Sequence, residues 1–66
     1  MDIADFLKVK RREVGLTQKD LAEKSGVALT VIRKMEQRKE NLSLAKVNHV
    51  LAMFGHKVGV VSSKQE

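Results

Sequence analysis

Apolar positions recur along this chain at helical spacing through four successive segments. In residues 3 to 14 the recurring positions are Ile3, Phe6, Leu7 and Val14, with Lys10 and Arg11 filling the turn between them. Asp2 stands where an N-cap belongs, and Asp5 lies in the first turn, where a carboxylate is favoured. Gly15 ends this helix, and Leu16 drops toward the core. A second helix starts at Thr17, which forms a capping-box-like pair with Asp20. Leu21 and Ala22 point inward, the helix ends near Ser25, and Gly26 supplies the chain reversal. Val27 follows as an apolar plug. A third helix then runs from about Ala28 to Gln37, with Val27, Val31, Ile32 and Met35 spaced 4, 1 and 3 on one face. Residues 38 to 42 read as a loop. In the fourth helix, residues 43 to 54, Leu44, Val47, Leu51 and Phe54 repeat at 3, 4 and 3, with Val50 on the flank. Ser43 or Asn41 caps it, and Gly55 lies just past its end.

The helical pattern breaks at residue 56. Val58, Val60 and Val61 are β-branched and suit a strand over residues 56 to 62, with Val58 and Val60 on one face. No other segment reads as β, so this strand has no mate within the chain. Residues 63 to 66 read as a tail. The expectation is therefore a single all-α domain over residues 1 to 66, with a helical body at 3 to 55. A short C-terminal strand pairs with its own copy across a homodimer.

Two of these helices, over residues 17 to 38, pack steeply around the turn at Gly26. Ala22 is small where they cross, and a larger side chain there would push them apart. This is a helix-turn-helix arrangement. Gln18, Leu21, Ala22, Gly26, Val27, Ile32, Met35 and Glu36 stand at the spacing of the motif in the Xre/Cro repressor class, which the chain resembles. The resemblance implies a four-helix DNA-binding domain whose third helix enters the major groove of a palindromic operator.

The helical wheel turns Leu29, Thr30, Arg33 and Gln37 away from the core face and places Lys34 on the flank. The resemblance places the base readers at Leu29, Thr30 and Lys34, and often Arg33. An arginine or lysine can donate to guanine O6 and N7, threonine bonds to several bases, and leucine packs on a thymine methyl. Gln18 resembles the class's phosphate-contacting glutamine, aided by the helix N-terminus. The expected DNA surface comprises Gln18, Ala28, Leu29, Thr30, Arg33, Lys34, Gln37, Arg38, Lys39 and Asn41.

Arg11 falls on or near the apolar stripe of the first helix, where a charge needs a partner. The resemblance supplies Glu36, and a partly buried Arg11–Glu36 ion pair is favoured over a phosphate contact by Arg11. At position 38 the class usually carries glycine, because the third helix ends there in a left-handed turn. Arg38 departs from that pattern. It strains the turn and adds a cation beside a bound duplex.

The chain has 66 residues, 13 of them Lys or Arg against 8 Asp or Glu, for a net charge of +5. The placement of Arg33, Lys34, Arg38 and Lys39 says more than the total, because they cluster where phosphates lie if the third helix enters a groove. A domain this small buries only about 60% of its unfolded surface, and without cysteine it has no disulfide. Dimerisation is one remedy. No apolar run reaches the roughly 18 residues of a membrane span. The acidic start, Asp2 and Asp5, does not read as a secretory signal, and the absence of cysteine fits a reducing cytoplasm.

The chain has no Tyr, no Gly-rich phosphate loop and no carboxylates at metal spacing, and its two histidines, His49 and His56, have no acid partner in sequence. No catalytic, metal or cofactor site is expected, and no small-molecule pocket. Small size and the terminal strand look most like HipB-type antitoxins. That resemblance implies autorepression and a HipA-like toxin kinase as partner. The alternatives are a plain phage-type repressor, or an interaction subunit that holds a partner enzyme and binds DNA secondarily.

Overall fold

A computed structural model of the chain describes residues 2–39 and 41–59. Four helices follow one another: α1 (Ile3–Glu13), α2 (Gln18–Ser25), α3 (Leu29–Glu36) and α4 (Leu44–Leu51). A 3-10 turn at Ala52–Phe54 prolongs α4. The starts are set by local chemistry. The Asp5 N–H donates to Asp2 Oδ1 at 2.9 Å. Thr17 and Asp20 cap α2 reciprocally, each backbone N–H donating to the other's side chain at 3.0 Å. Ser43, not Asn41, caps α4, accepting from the Lys46 N–H at 3.4 Å. Ala28 caps α3 without any side-chain hydrogen bond.

α3 packs against both α1 and α2. Its Ile32 and Met35 sit among Leu7, Leu21, Val27, Val47, Val50 and Leu51 in one buried cluster. Phe6, Leu16, Ala22, Val31, Leu42, Phe54 and Val58 close around it. Three expectations change here. Val14 and Leu44 are each 57% exposed, because both stand at helix ends that overhang the core. Val50 is fully buried rather than flanking. The buried stripe of α4 runs through Val47, Val50 and Leu51, and the tight turn that follows carries Phe54 back onto the cluster. Ala4, absent from the sequence-based face, is buried.

Three chain reversals share one backbone device. Leu16 N–H reaches Arg11 C=O while Gly15 N–H reaches Arg12 C=O. His56 and Gly55 repeat this on Leu51 and Ala52, and Lys39 and Arg38 repeat it on Lys34 and Met35. These paired bonds satisfy helix carbonyls that otherwise lack donors, and they need a left-handed residue at the second site. Gly15 and Gly55 fill it in two cases, and Arg38, at φ 60°, fills it in the third.

The expected strand over 56–62 is not seen at residues 56–59; Val60 and Val61 lie outside the described residues. Val58 is satisfied in another way. Its N–H donates to Asn48 Oδ1 at 2.7 Å, and Asn48 Nδ2 donates to its carbonyl at 3.4 Å. A carboxamide carries the donor and acceptor of a peptide group, so one side chain of α4 pairs with Val58 as a neighbouring strand would. The reasoning that this segment lacks any partner within the chain therefore fails at Val58. His56 tilts over Phe6 with ring centroids 4.6 Å apart, holding the segment across α1.

Candidate nucleic-acid interface

The site is built around α3, which buries one face and exposes the other. Ile32, Met35 and Glu36 point inward. Ala28, Thr30, Arg33, Lys34 and Gln37 are exposed, and Leu29 is half-buried. This follows from the apolar spacing, which leaves polar side chains on the rest of the helix. Lys39 and Asn41 are exposed just beyond it. Lys34, Arg38, Lys39 and Asn41 line a single concavity at the C-terminal end of α3. Among the described residues no carboxylate pairs with Arg33, Lys34 or Lys39.

Behind this surface lies a polar knot. Arg11 Nε donates to Glu36 Oε2 at 2.8 Å and Nη2 donates to Oε1 at 3.0 Å. Arg11 Nη1 reaches the Leu16 carbonyl at 2.9 Å. All three guanidinium nitrogens are thus engaged inside the protein, which leaves Arg11 little capacity for a phosphate. Gln18 Nε2 donates to Glu36 Oε1 at 3.1 Å. One carboxylate on α3 therefore gathers side chains from both α1 and α2. Burial pushes the Glu36 carboxyl up, but the bonds from Arg11 and Gln18 outweigh it and hold the pKa below the usual carboxylate value. No buried side-chain nitrogen or oxygen among the described residues lacks a partner. Such a knot need not stabilise relative to an apolar core, but removing one member strands the others.

Gln18, expected at a phosphate, is half-buried and spends one amide hydrogen on Glu36. It still stands in the first turn of α2, beside that helix's N-terminus. Arg38, expected as an extra cation beside a duplex, has two carboxylate partners. Its Nε lies 3.0 Å from Asp2 Oδ2 and its Nη2 lies 2.7 Å from Asp5 Oδ1. Sequence reading saw Asp2 and Asp5 only as local charges at the start of α1. Nothing in the chain's linear order signals a partner more than thirty positions away.

Hydrogen-bond donors and positive charge thus gather on the exposed side of one helix and at its end. Such a surface suits phosphates and base edges. Among the described residues no cluster of His, Asp or Glu is grouped to hold a metal ion. None of their helices is long and apolar enough to cross a membrane. Compared with known proteins, residues 7–55 match the family described as Helix-turn-helix. No curated protein and no solved structure matches the chain.

Proposed function

The chain belongs to the helix-turn-helix family of Xre/Cro type, a family of DNA-binding regulators, and from that premise we propose that it is a sequence-specific repressor acting as a homodimer. In this reading α3 enters the major groove. Thr30, Arg33 and Lys34 meet base edges, Leu29 packs on a thymine methyl, and Ala28 and Gln37 lie at the margins. Lys39, Asn41 and the first turn of α2 at Gln18 hold phosphates. The observation that carries the reading is the exposed face of α3. Its cations have no carboxylate partner among the described residues, while its buried face is fastened by Arg11, Gln18 and Glu36.

The partner is a palindromic operator, and binding it is cytoplasmic work. The proposal extends to an autoregulating antitoxin that represses its own operon and neutralises a HipA-like kinase. Small size and the apolar C-terminal segment support that extension. Val58, Val60 and Val61 then contribute to a two-fold contact. Because Asn48 already engages both backbone groups of Val58, pairing between copies uses the opposite edge of the segment.

The test is binding to the DNA upstream of the chain's own coding sequence, set against a random duplex of equal length. A specific regulator binds its site at least about 10³-fold more tightly at physiological salt. Equal affinity for both duplexes defeats the repressor reading. An interaction subunit, the second reading, binds neither duplex well and retains a partner enzyme encoded beside it. A neighbouring kinase-like toxin favours the antitoxin assignment, and an isolated operator favours a plain repressor.

A further inference from the structure

Arg38 is the only non-glycine residue with positive φ among the described residues, and it is also the only cation there that bridges two carboxylates. Asp2, one of the two, is itself the cap of α1, so a single side chain joins the start of α1 to the end of α3. The other ion pair between these helices among the described residues is Arg11 with Glu36. Arg11 lies near the far end of α1, about 13 Å along the helix from Asp2 at 1.5 Å per residue. The last turn of α3 is thereby held toward both ends of α1. An isolated exposed ion pair is weak. Here, however, the hydrogen bonds from Lys39 to Lys34 and from Arg38 to Met35 fix the left-handed turn, and that turn aims the guanidinium at the acids.

Two of the three guanidinium nitrogens of Arg38, Nε and Nη2, are committed to carboxylates, so a phosphate that takes the whole fork must displace both acids. Even a phosphate that meets only Nη1 faces two carboxylates beside it. Lys34, Lys39 and Asn41 line the same concavity, and among the described residues no carboxylate pairs with either lysine.

We infer that Arg38 is a positioning residue of the DNA-reading site and not one of its phosphate ligands: with Asp2 and Asp5 it locks the end of α3 to the start of α1 and so sets the angle at which α3 meets the groove. This rests on the DNA-binding reading for its purpose, but the lock itself is a property of the free protein.

Two measurements on the full chain test it. In the free protein, the carboxyl carbon resonance of Asp2 is followed against pH. Arg38→Gln is expected to move the Asp2 midpoint upward, and identical titrations in both proteins overturn the lock. Arg38→Gly removes the same side chain while easing the backbone, so a folding defect in Arg38→Gln does not obstruct the result. The second measurement is the slope of log affinity against log salt for a random duplex of roughly 20 base pairs. Arg38→Gln is expected to keep the wild-type slope, whereas Lys39→Gln flattens it by about 0.9, the loss of one phosphate contact. Asp2→Asn with Asp5→Asn frees the arginine and steepens it. On the sequence-matched upstream duplex, Arg38→Gln lowers the preference over random DNA. A slope that falls in Arg38→Gln as it does in Lys39→Gln makes Arg38 a phosphate ligand and overturns the inference. If neither duplex binds the wild type, the DNA reading fails and the positioning role with it, while the titration still decides whether the lock exists.

Discussion

A charge set into the apolar face of a small helix must find a counter-charge, and Arg11 finds Glu36 with the carboxylate nearly enclosed at 3% side-chain exposure. Glu36→Ala strands Arg11 and Gln18 together, with an expected cost of about 3–5 kcal/mol in urea unfolding. Glu13→Ala is its control. Glu13 is exposed and among the described residues pairs only with Lys10 at 3.4 Å, so the midpoint of its variant should barely move. Equal midpoints for the two variants remove the pair from the account of stability. The sign of the pH effect follows from the direction of the shift. The Glu36 carboxyl titrates below its ordinary value of 4.5, so its contribution is complete above that pH and is lost as pH falls through the lowered native value. Asp20, lowered by its bonds with Thr17, adds with the same sign. Stability should therefore decline in acid below about pH 4.5, and Glu36→Gln, weaker at neutral pH, should decline less steeply. On the exposed face of α3 the proposed roles divide. Thr30→Ala and Lys34→Ala relax preference at single base pairs by about 1–3 kcal/mol each where the contact is good. Lys39→Ala weakens all duplexes alike and flattens the salt dependence. Equal losses on specific and random duplexes for all three contradict that division.

The elements were legible to different degrees. α2 and the turn after it were readable because each signal is local: Thr17 with Asp20 at one end, Gly26 at φ 73° at the other. A methyl group added at Gly26 meets no atom within 4 Å, so the cost of Gly26→Ala is torsional, roughly 1–2 kcal/mol by thermal melt. Gly59→Ala, also without a clash, has no positive φ to strain and should change little. A Gly26→Ala protein as stable as wild type means the turn has relaxed out of the left-handed region. α4 was read less well. A strict 3-4-3 repeat selected Leu44, but a residue in the first turn of a short helix overhangs whatever the helix packs on, and Val50 takes the buried place. The segment after α4 is only partly legible, for a related reason. Three β-branched valines near a glycine signal extended backbone without naming its partner, and at Val58 the partner is the side chain of Asn48. Asn48→Ala should speed hydrogen exchange at the Val58 amide and leave α2 amides unchanged. Unaltered exchange at Val58 means the clasp contributes nothing in solution.

For the molecule as a whole, the question is how so small a core becomes a DNA-binding unit. The proposed answer is a second copy, joined through the C-terminal segment so that two α3 helices lie about 34 Å apart, facing half-sites roughly 10 base pairs apart. Deleting residues 56–66 removes the clasp at Val58 and the proposed contact beyond it. The truncated chain should sediment as a monomer at micromolar concentration, melt at a lower temperature and bind the upstream duplex much more weakly. A truncated chain that still sediments as a dimer moves the interface to α4.

From its sequence alone the chain was readable as four helices with a helix-turn-helix at their centre, because capping, helical periodicity and the need for glycine at tight turns act between residues a few positions apart. The exposed face of α3 was readable by the same periodicity. Tertiary structure decided what depends on groups distant in sequence: the docking of Val58 on Asn48, the burial of Ala4 and Val50, and the capture of Arg38 by Asp2 and Asp5. Arg38 shows the distinction most clearly. Its left-handed backbone was foreseeable from the resemblance, since the class usually carries glycine at that helix end. Which carboxylates its side chain meets depends on how α1 crosses α3, and that angle is set by the packing of the whole core.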